Sequence, residues 1–135
     1  MKLSRASSYA VHALTFLAAQ DSHQLVLGSV IGRNEDLPER FISKLLTRLE
    51  RAQLLHSRTG PRGGYSLARP PSRISLLEII EAVEGAIQGY APFLGEKANQ
   101  RLHRRLQAIC DQAAEQLRAR LAEVRLSHLV GTRRK

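Results

Sequence analysis

Apolar residues recur at three- and four-residue spacing over five stretches of this chain, and they alternate with polar residues over two short ones. Ala10, Ala13, Leu14, Leu17 and Ala18 share one face, which predicts an amphipathic first helix over residues 4–20. Lys2 and Arg5 ahead of that stretch loosely mimic a secretory leader, but His12 and Thr15 interrupt the apolar run and the helical spacing favours a folded helix. Leu27, Val30 and Ile31 line a short second helix, residues 27–33, in which Gly28 and Gly32 weaken the isolated helix but admit a close neighbour. A polar turn, Asn34-Glu35-Asp36-Leu37, leads to Pro38, which suits the first position of a helix because its missing N–H would be unpaired there. Residues 38–52 carry the clearest helical pattern. Phe41, Leu45, Leu49 and Ala52 form one stripe with Ile42 and Leu46 beside it, and Arg40, Ser43, Lys44, Thr47, Arg48 and Arg51 occupy the opposite face. Two helices joined by a tight polar turn make a helix-turn-helix.

Two alternating strands follow, residues 54–58 and 65–68, around Thr59-Gly60-Pro61-Arg62-Gly63-Gly64. Glycines that tolerate positive φ and a proline that fixes a turn are hairpin-loop chemistry, so this segment reads as a wing with Arg62 at its tip. After the polar connector 69–73, Ser75 and Glu78 have capping-box spacing and start a helix that runs through Val83, with Gly85 as its stop. Residues 86–97 have no period and read as a loop. From 98 to 124 the apolar stripe Leu102, Leu106, Ile109, Ala113, Leu117, Leu121 and Val124 predicts one helix about 40 Å long. Such a stripe exceeds what one small domain needs and implies burial against a second copy, a homodimer. The expected fold is therefore mainly α with a small β-hairpin: a winged helix-turn-helix over 1–85, a loop over 86–97, a dimerisation helix and C-terminal segment over 98–130, and a basic tail over 131–135.

Composition narrows the function. The chain has 135 residues, one domain's worth, and a net charge of +9. Residues 33–73 hold nine basic and four acidic side chains, a net of +5, so more than half the excess lies in under a third of the chain, around the predicted helix and wing. A solvated basic face is the bland alternative. Six aromatic residues and no Trp leave few candidates for a stacking platform on single strands. The glycine-rich loop lacks the Gly-Lys-Ser/Thr ending of a phosphate-binding loop and opens a strand rather than a helix. None of the five histidines forms a metal-type pair, there is no Gly-x-Ser-x-Gly elbow, and no enzyme is expected. Glu78, Glu81 and Glu84 read as a solvated acidic helix face, and His12 as a polar surface residue. The lone Cys110 excludes a disulfide framework within the chain and points to a reducing compartment. It reads first as a small buried hydrophobe, with a redox thiol as the alternative. No apolar run reaches a membrane span.

Met1-Lys2-Leu3-Ser4, Tyr9-Ala10-Val11, Leu37-Pro38, Phe41-Ile42, Lys44-Leu45-Leu46, Gly63-Gly64-Tyr65, Leu67-Ala68-Arg69-Pro70 and Ala82-Val83-Glu84-Gly85 resemble the Rrf-two family of bacterial winged-helix regulators. The resemblance is close over residues 1–85 and weak beyond. It implies a dimeric cytoplasmic transcription regulator, a repressor in the main reading, on a palindromic double-stranded DNA operator, with Lys2, Ser4 and Tyr9 near phosphates. Arg40, Ser43, Lys44, Thr47 and Arg48 are the expected groove contacts. Arg58, Thr59, Arg62, Gly63 and Gly64 are the expected wing contacts, Thr59 standing where relatives carry Arg or Lys. Leu102, Leu106, Ile109, Ala113, Leu117 and Leu121 are the expected dimer face. Many members bind an iron–sulfur cluster through three cysteines before the long helix, whereas residues 86–103 contain none, so no cluster is expected. A mixed His12–Cys110 site between subunits is the metal alternative. Where relatives have a helix-ending glycine this chain has Gln53. The alternatives to the regulator are a basic RNA- or ribosome-associated protein and a thiol-redox sensor acting through Cys110.

Overall fold

The computed structural model describes residues 1–21 and 24–131; His23 and residues 132–135 of the basic tail lie outside it. The first helix, α1, spans Arg5–Ala18 and is capped by Ser4, whose hydroxyl accepts the Ser7 backbone N–H at 3.0 Å. It buries Ala10, Ala13, Leu14 and Leu17. The second, α2, spans Gly28–Asn34 and the third, α3, spans Glu39–Arg51. They pack closely: a Cβ at residue 28 would stand 3.3 Å from Leu46 Cδ1.

The core stripe of α3 is Ile42, Leu45, Leu46 and Leu49. Phe41, expected in that stripe, is instead 50% exposed, with the Arg40 guanidinium 5.4 Å from its ring centroid. Pro38 sits one position ahead of the helix, as its N-cap. At the other end Gln53 N–H donates to Glu50 O and Leu54 N–H to Leu49 O, with Gln53 at φ +63. That is a Schellman stop, built on a glutamine where glycine is the unstrained choice.

Strands β1 (Leu55–Arg58) and β2 (Gly64–Leu67) pair antiparallel, with Leu55 opposite Leu67 and Arg58 opposite Gly64. Val26 pairs with Tyr65 through two backbone bonds of 2.8 and 2.9 Å, a link the sequence pattern did not disclose. Gly64 is required by that approach, since a Cβ there would lie 2.8 Å from the Val26 backbone.

Helix α4, Leu76–Glu84, begins with the expected capping box: Ser75 N–H donates to Glu78 Oε1 and Glu78 N–H to Ser75 Oγ, both at 3.1 Å. It packs on α1 and α3 and buries Ile79, Ile80 and Val83. Helix α5, Gln100–Glu123, is about 36 Å long at 1.5 Å per residue. Residues 86–97 form no helix or strand and run beside α5. There Gln107 accepts the Ala91 N–H and donates to Gly89 O, both at 2.9 Å. A short last helix, α6, spans Leu126–Leu129.

The long helix and the C-terminal segment do not form a unit apart. Leu76 N–H donates to Val124 O and Leu126 N–H to Ile74 O, each at 2.8 Å, and α6 packs on α1 with Leu126 fully buried in the core of the N-terminal part. The segments expected as 1–85 and 98–130 are thus joined by backbone bonds and a shared core. Leu121, assigned to the dimer face, is 7% exposed and buried within its own chain.

Candidate nucleic-acid interface

Helix α3 presents Arg40, Ser43 and Lys44 to solvent on one exposed face. Thr47 is half-buried and its hydroxyl donates back to Ser43 O at 2.8 Å. Arg48 is exposed, but its Nη1 donates to the Val83 carbonyl at 3.0 Å, tying α3 to the end of α4. Arg58, Thr59 and Arg62 are exposed on the hairpin. Gly63 and Gly64 are buried, with the Gly63 N–H donated to Gly60 O at 3.0 Å. The Ser57 hydroxyl donates to the Glu50 carboxylate and locks β1 to α3.

The start of α1 lies alongside. Arg5, Tyr9, Phe41, Lys44 and Arg48 border a groove of about 550 Å³ between α1 and α3, floored by Ala6, Pro38 and Leu45. Arg5 Nη1 reaches the Tyr9 hydroxyl at 3.4 Å. Arg5 was not among the expected DNA contacts, and its signal was its position four residues before Tyr9 on the first turn. Lys2 is exposed at the same end. Ser4 is engaged otherwise: besides capping α1, its hydroxyl donates to Glu84 Oε2 at 2.7 Å, and the buried Ser7 hydroxyl donates to the same oxygen.

Charges segregate. Among the described residues the ion pairs are Arg69–Glu78, Arg118–Glu81 and Arg120–Glu123, with the His12 ring 3.6 Å from Glu35, and none of these engages Arg40, Lys44, Arg58 or Arg62. The three glutamates of α4, expected to be a solvated face, are all bonded within the fold. Hydrogen bonds from Arg118 and the Ile87 N–H hold the Glu81 carboxyl below its ordinary value. Those from Ser7 and Ser4 do the same for Glu84. Burial pushes Glu78 upward, but the Ser75 N–H and Arg69 outweigh it and the net displacement is downward.

Helix α5 leaves Leu102, Leu106 and Ile109 exposed at 52, 46 and 61%, with Ala113 also exposed and Leu117 half-buried. Cys110 is half-buried, with the Gly89 backbone packed on its own backbone. His12 is on α1, 62% exposed and 3.6 Å from Glu35. Among the described residues no three His, Cys, Asp or Glu side chains converge as metal ligands, and no helix is long and apolar enough to cross a membrane.

A helix-turn-helix with a two-stranded hairpin beside its exposed second helix defines a winged-helix protein. Residues 3–132 match the Rrf2 family, described as iron-dependent transcriptional regulators. The chain belongs to that family. It is 42% identical over 89 residues to the HTH-type transcriptional regulator IscR of Cereibacter sphaeroides, covering 64% of this chain and 57% of that one. It is 36% identical over 93 residues to an HTH-type transcriptional regulator of Synechocystis, covering 69% and 63%. The chain thus spans about three fifths of the length of these curated relatives. Among solved structures it superposes on CymR, the global cysteine regulator of B. subtilis, with a TM-score of 0.72 at 25% identity over 96% of both chains. The T. potens IscR structure gives 0.71 at 25% identity, over 96% of this chain and 86% of that one.

Proposed function

We propose that this protein regulates transcription as a homodimer on double-stranded DNA, with α3 in the major groove and the wing on the neighbouring backbone. One observation carries the reading. Arg40, Ser43 and Lys44 of α3 stand exposed with Arg58 and Arg62 of the wing, and no carboxylate pairs with these four cations among the described residues. Guanidinium, ammonium and hydroxyl groups on an exposed helix suit guanine edges and phosphates. The groove between α1 and α3 extends that surface toward Lys2, Arg5 and Tyr9. Leu102, Leu106 and Ile109 supply the apolar face for the second copy. Two-fold symmetry then implies a palindromic operator with half-sites about 34 Å apart or a small multiple of that. Seated over a promoter, such a dimer represses by excluding polymerase.

The reading is of a regulator without a three-cysteine cluster. The chain contains a single cysteine, Cys110, and it lies inside α5 rather than in the connector before it. Anaerobically purified protein is expected to be colourless and to bind DNA; visible iron–sulfur absorption would overturn this part.

Fluorescence anisotropy against a selected duplex tests the binding. Each phosphate-neutralising cation contributes about 0.9 to the slope of log affinity against log salt. Lys44→Ala and Arg62→Ala are each expected to lower the slope by roughly that amount if they meet phosphates. Unchanged slope and affinity in both variants, or equal affinity for arbitrary RNA, would remove the proposed interface.

A further inference from the structure

The last turn of α4 joins the DNA-facing helices to the dimer arm. On one side Glu84 accepts the hydroxyls of Ser4 and Ser7 from the start of α1, and the Val83 carbonyl accepts Arg48 of α3 at 3.0 Å. On the other side Glu81 accepts Arg118 of α5 through two parallel bonds, from Nε at 3.0 Å and Nη2 at 3.2 Å. Glu81 also accepts the Ile87 N–H at 2.8 Å, which pins the connector where it leaves Gly85. The same helical turn therefore grips both parts of the molecule.

We propose that the Glu81–Arg118 brace sets the angle between the arm and the DNA-reading part, and so selects the spacing of the two half-sites. This rests on the homodimeric DNA-binding reading above. Glu81 and Arg118 are positioning residues and touch no base. The root of α5 is fixed by Leu121 and by the backbone bonds at Val124 and Leu126. A helix held only at its root can tilt. Arg118 lies one turn above Leu121, and a planar two-bond guanidinium–carboxylate contact resists both tilt and roll. Beyond it, the hydrogen bonds of Gln107 reach only the connector, at Gly89 and Ala91, and Asp111. From Arg118 to Gln100 the arm runs about 27 Å, so a tilt of about 10° moves its tip by roughly 5 Å. One inserted base pair shifts a half-site by about 3.4 Å and rotates it by roughly 35°. The brace thus controls displacements on the scale that separates one operator spacing from the next. Its side chains are 20% and 41% exposed, and ion pairs of that exposure add little to global stability.

The test uses the full chain. A random duplex library is enriched on the wild-type protein, and the recovered palindrome is remade with its half-sites one and two base pairs closer and farther apart. Simultaneous engagement of two linked sites is lost when geometry forbids it, so the wild type is expected to lose about a hundredfold in affinity off its preferred spacing. Glu81→Gln and Arg118→Met are expected to reduce that penalty to less than about tenfold, with dimer mass unchanged and melting temperature at neutral pH lowered by no more than about 2 °C. The reversed pair, Glu81→Arg with Arg118→Glu, is expected to restore part of the discrimination, the Ile87 N–H being left without its acceptor. Discrimination as sharp as wild type in both single variants overturns the proposal. So does a uniform loss at every spacing with a lowered melting temperature, which is the signature of a purely structural contact. A wild-type protein that enriches no duplex, or that sediments as a monomer, fails the underlying reading instead and takes the brace with it.

Discussion

Gln53 shows how one residue departs from the local optimum. It stands at φ +63 in the stop of α3, a conformation that costs a non-glycine residue about 1–2 kcal/mol. Gln53→Gly is expected to raise stability by about 1 kcal/mol, part of the gain being offset by glycine's larger unfolded-state entropy. A higher urea midpoint at constant slope would show it. Ser4 makes the opposite case. Sequence resemblance puts it at a phosphate, whereas the fold employs its hydroxyl in capping α1 and bonding Glu84. Ser4→Ala is therefore expected to cost about 1 kcal/mol of stability while leaving the salt slope of DNA binding unchanged. A reduced slope at unchanged stability would return Ser4 to the phosphate backbone.

Elements were legible where pattern and chemistry agree locally. The capping box at Ser75 and Glu78, the glycine-rich hairpin and the polar run between α2 and α3 all fold as their residues dictate. The stripe of α3 was misread because Phe41 and Ile42 both fit a spacing of three to four from Leu45; neighbouring elements decide which is covered, and they cover Ile42. Arg48 and the acidic face of α4 escaped for a related reason. Helical periodicity sees residues three or four apart, but the partner of Glu81 is Arg118, thirty-seven positions on, and that of Arg48 is thirty-five away. Arg48→Met is accordingly expected to lower the unfolding midpoint and to leave the salt slope intact. A drop in slope near 0.9 would show that its guanidinium leaves Val83 for a phosphate.

At the scale of the whole molecule, three depressed carboxyls hold separate elements together: Glu78 with Arg69, Glu81 with Arg118 and Glu84 with α1. Each has a folded value below the ordinary 4.5. Their contribution is complete above that value and is lost as pH falls through the lowered ones. Melting temperature is therefore expected to be flat on this account from pH 7 to about 5 and to drop below about 4.5, with Glu81→Gln and Glu84→Gln flattening the drop. A drop of wild-type size in both variants would assign it to other groups. What composition conveyed at this scale was the concentration of charge on residues 33–73, of which the fold sets Arg40, Lys44, Arg58 and Arg62 exposed on α3 and the wing. It could not convey where the C-terminal segment goes, because a four-residue helix has no periodicity of its own to read.

That segment has a consequence for the order of events during synthesis. Leu126 fills a place in the same core as Ala10 and Leu14, so that core stays open until the chain has passed through the whole of α5. A ribosome releasing this protein residue by residue exposes α3 and the wing early, but the body that holds them in register is sealed last. On the proposed reading, the DNA-reading part is thus completed only after the arm assigned to the second copy has been made. On that reading, a nascent chain still lacking its C-terminal segment has no finished reader with which to compete for the operator.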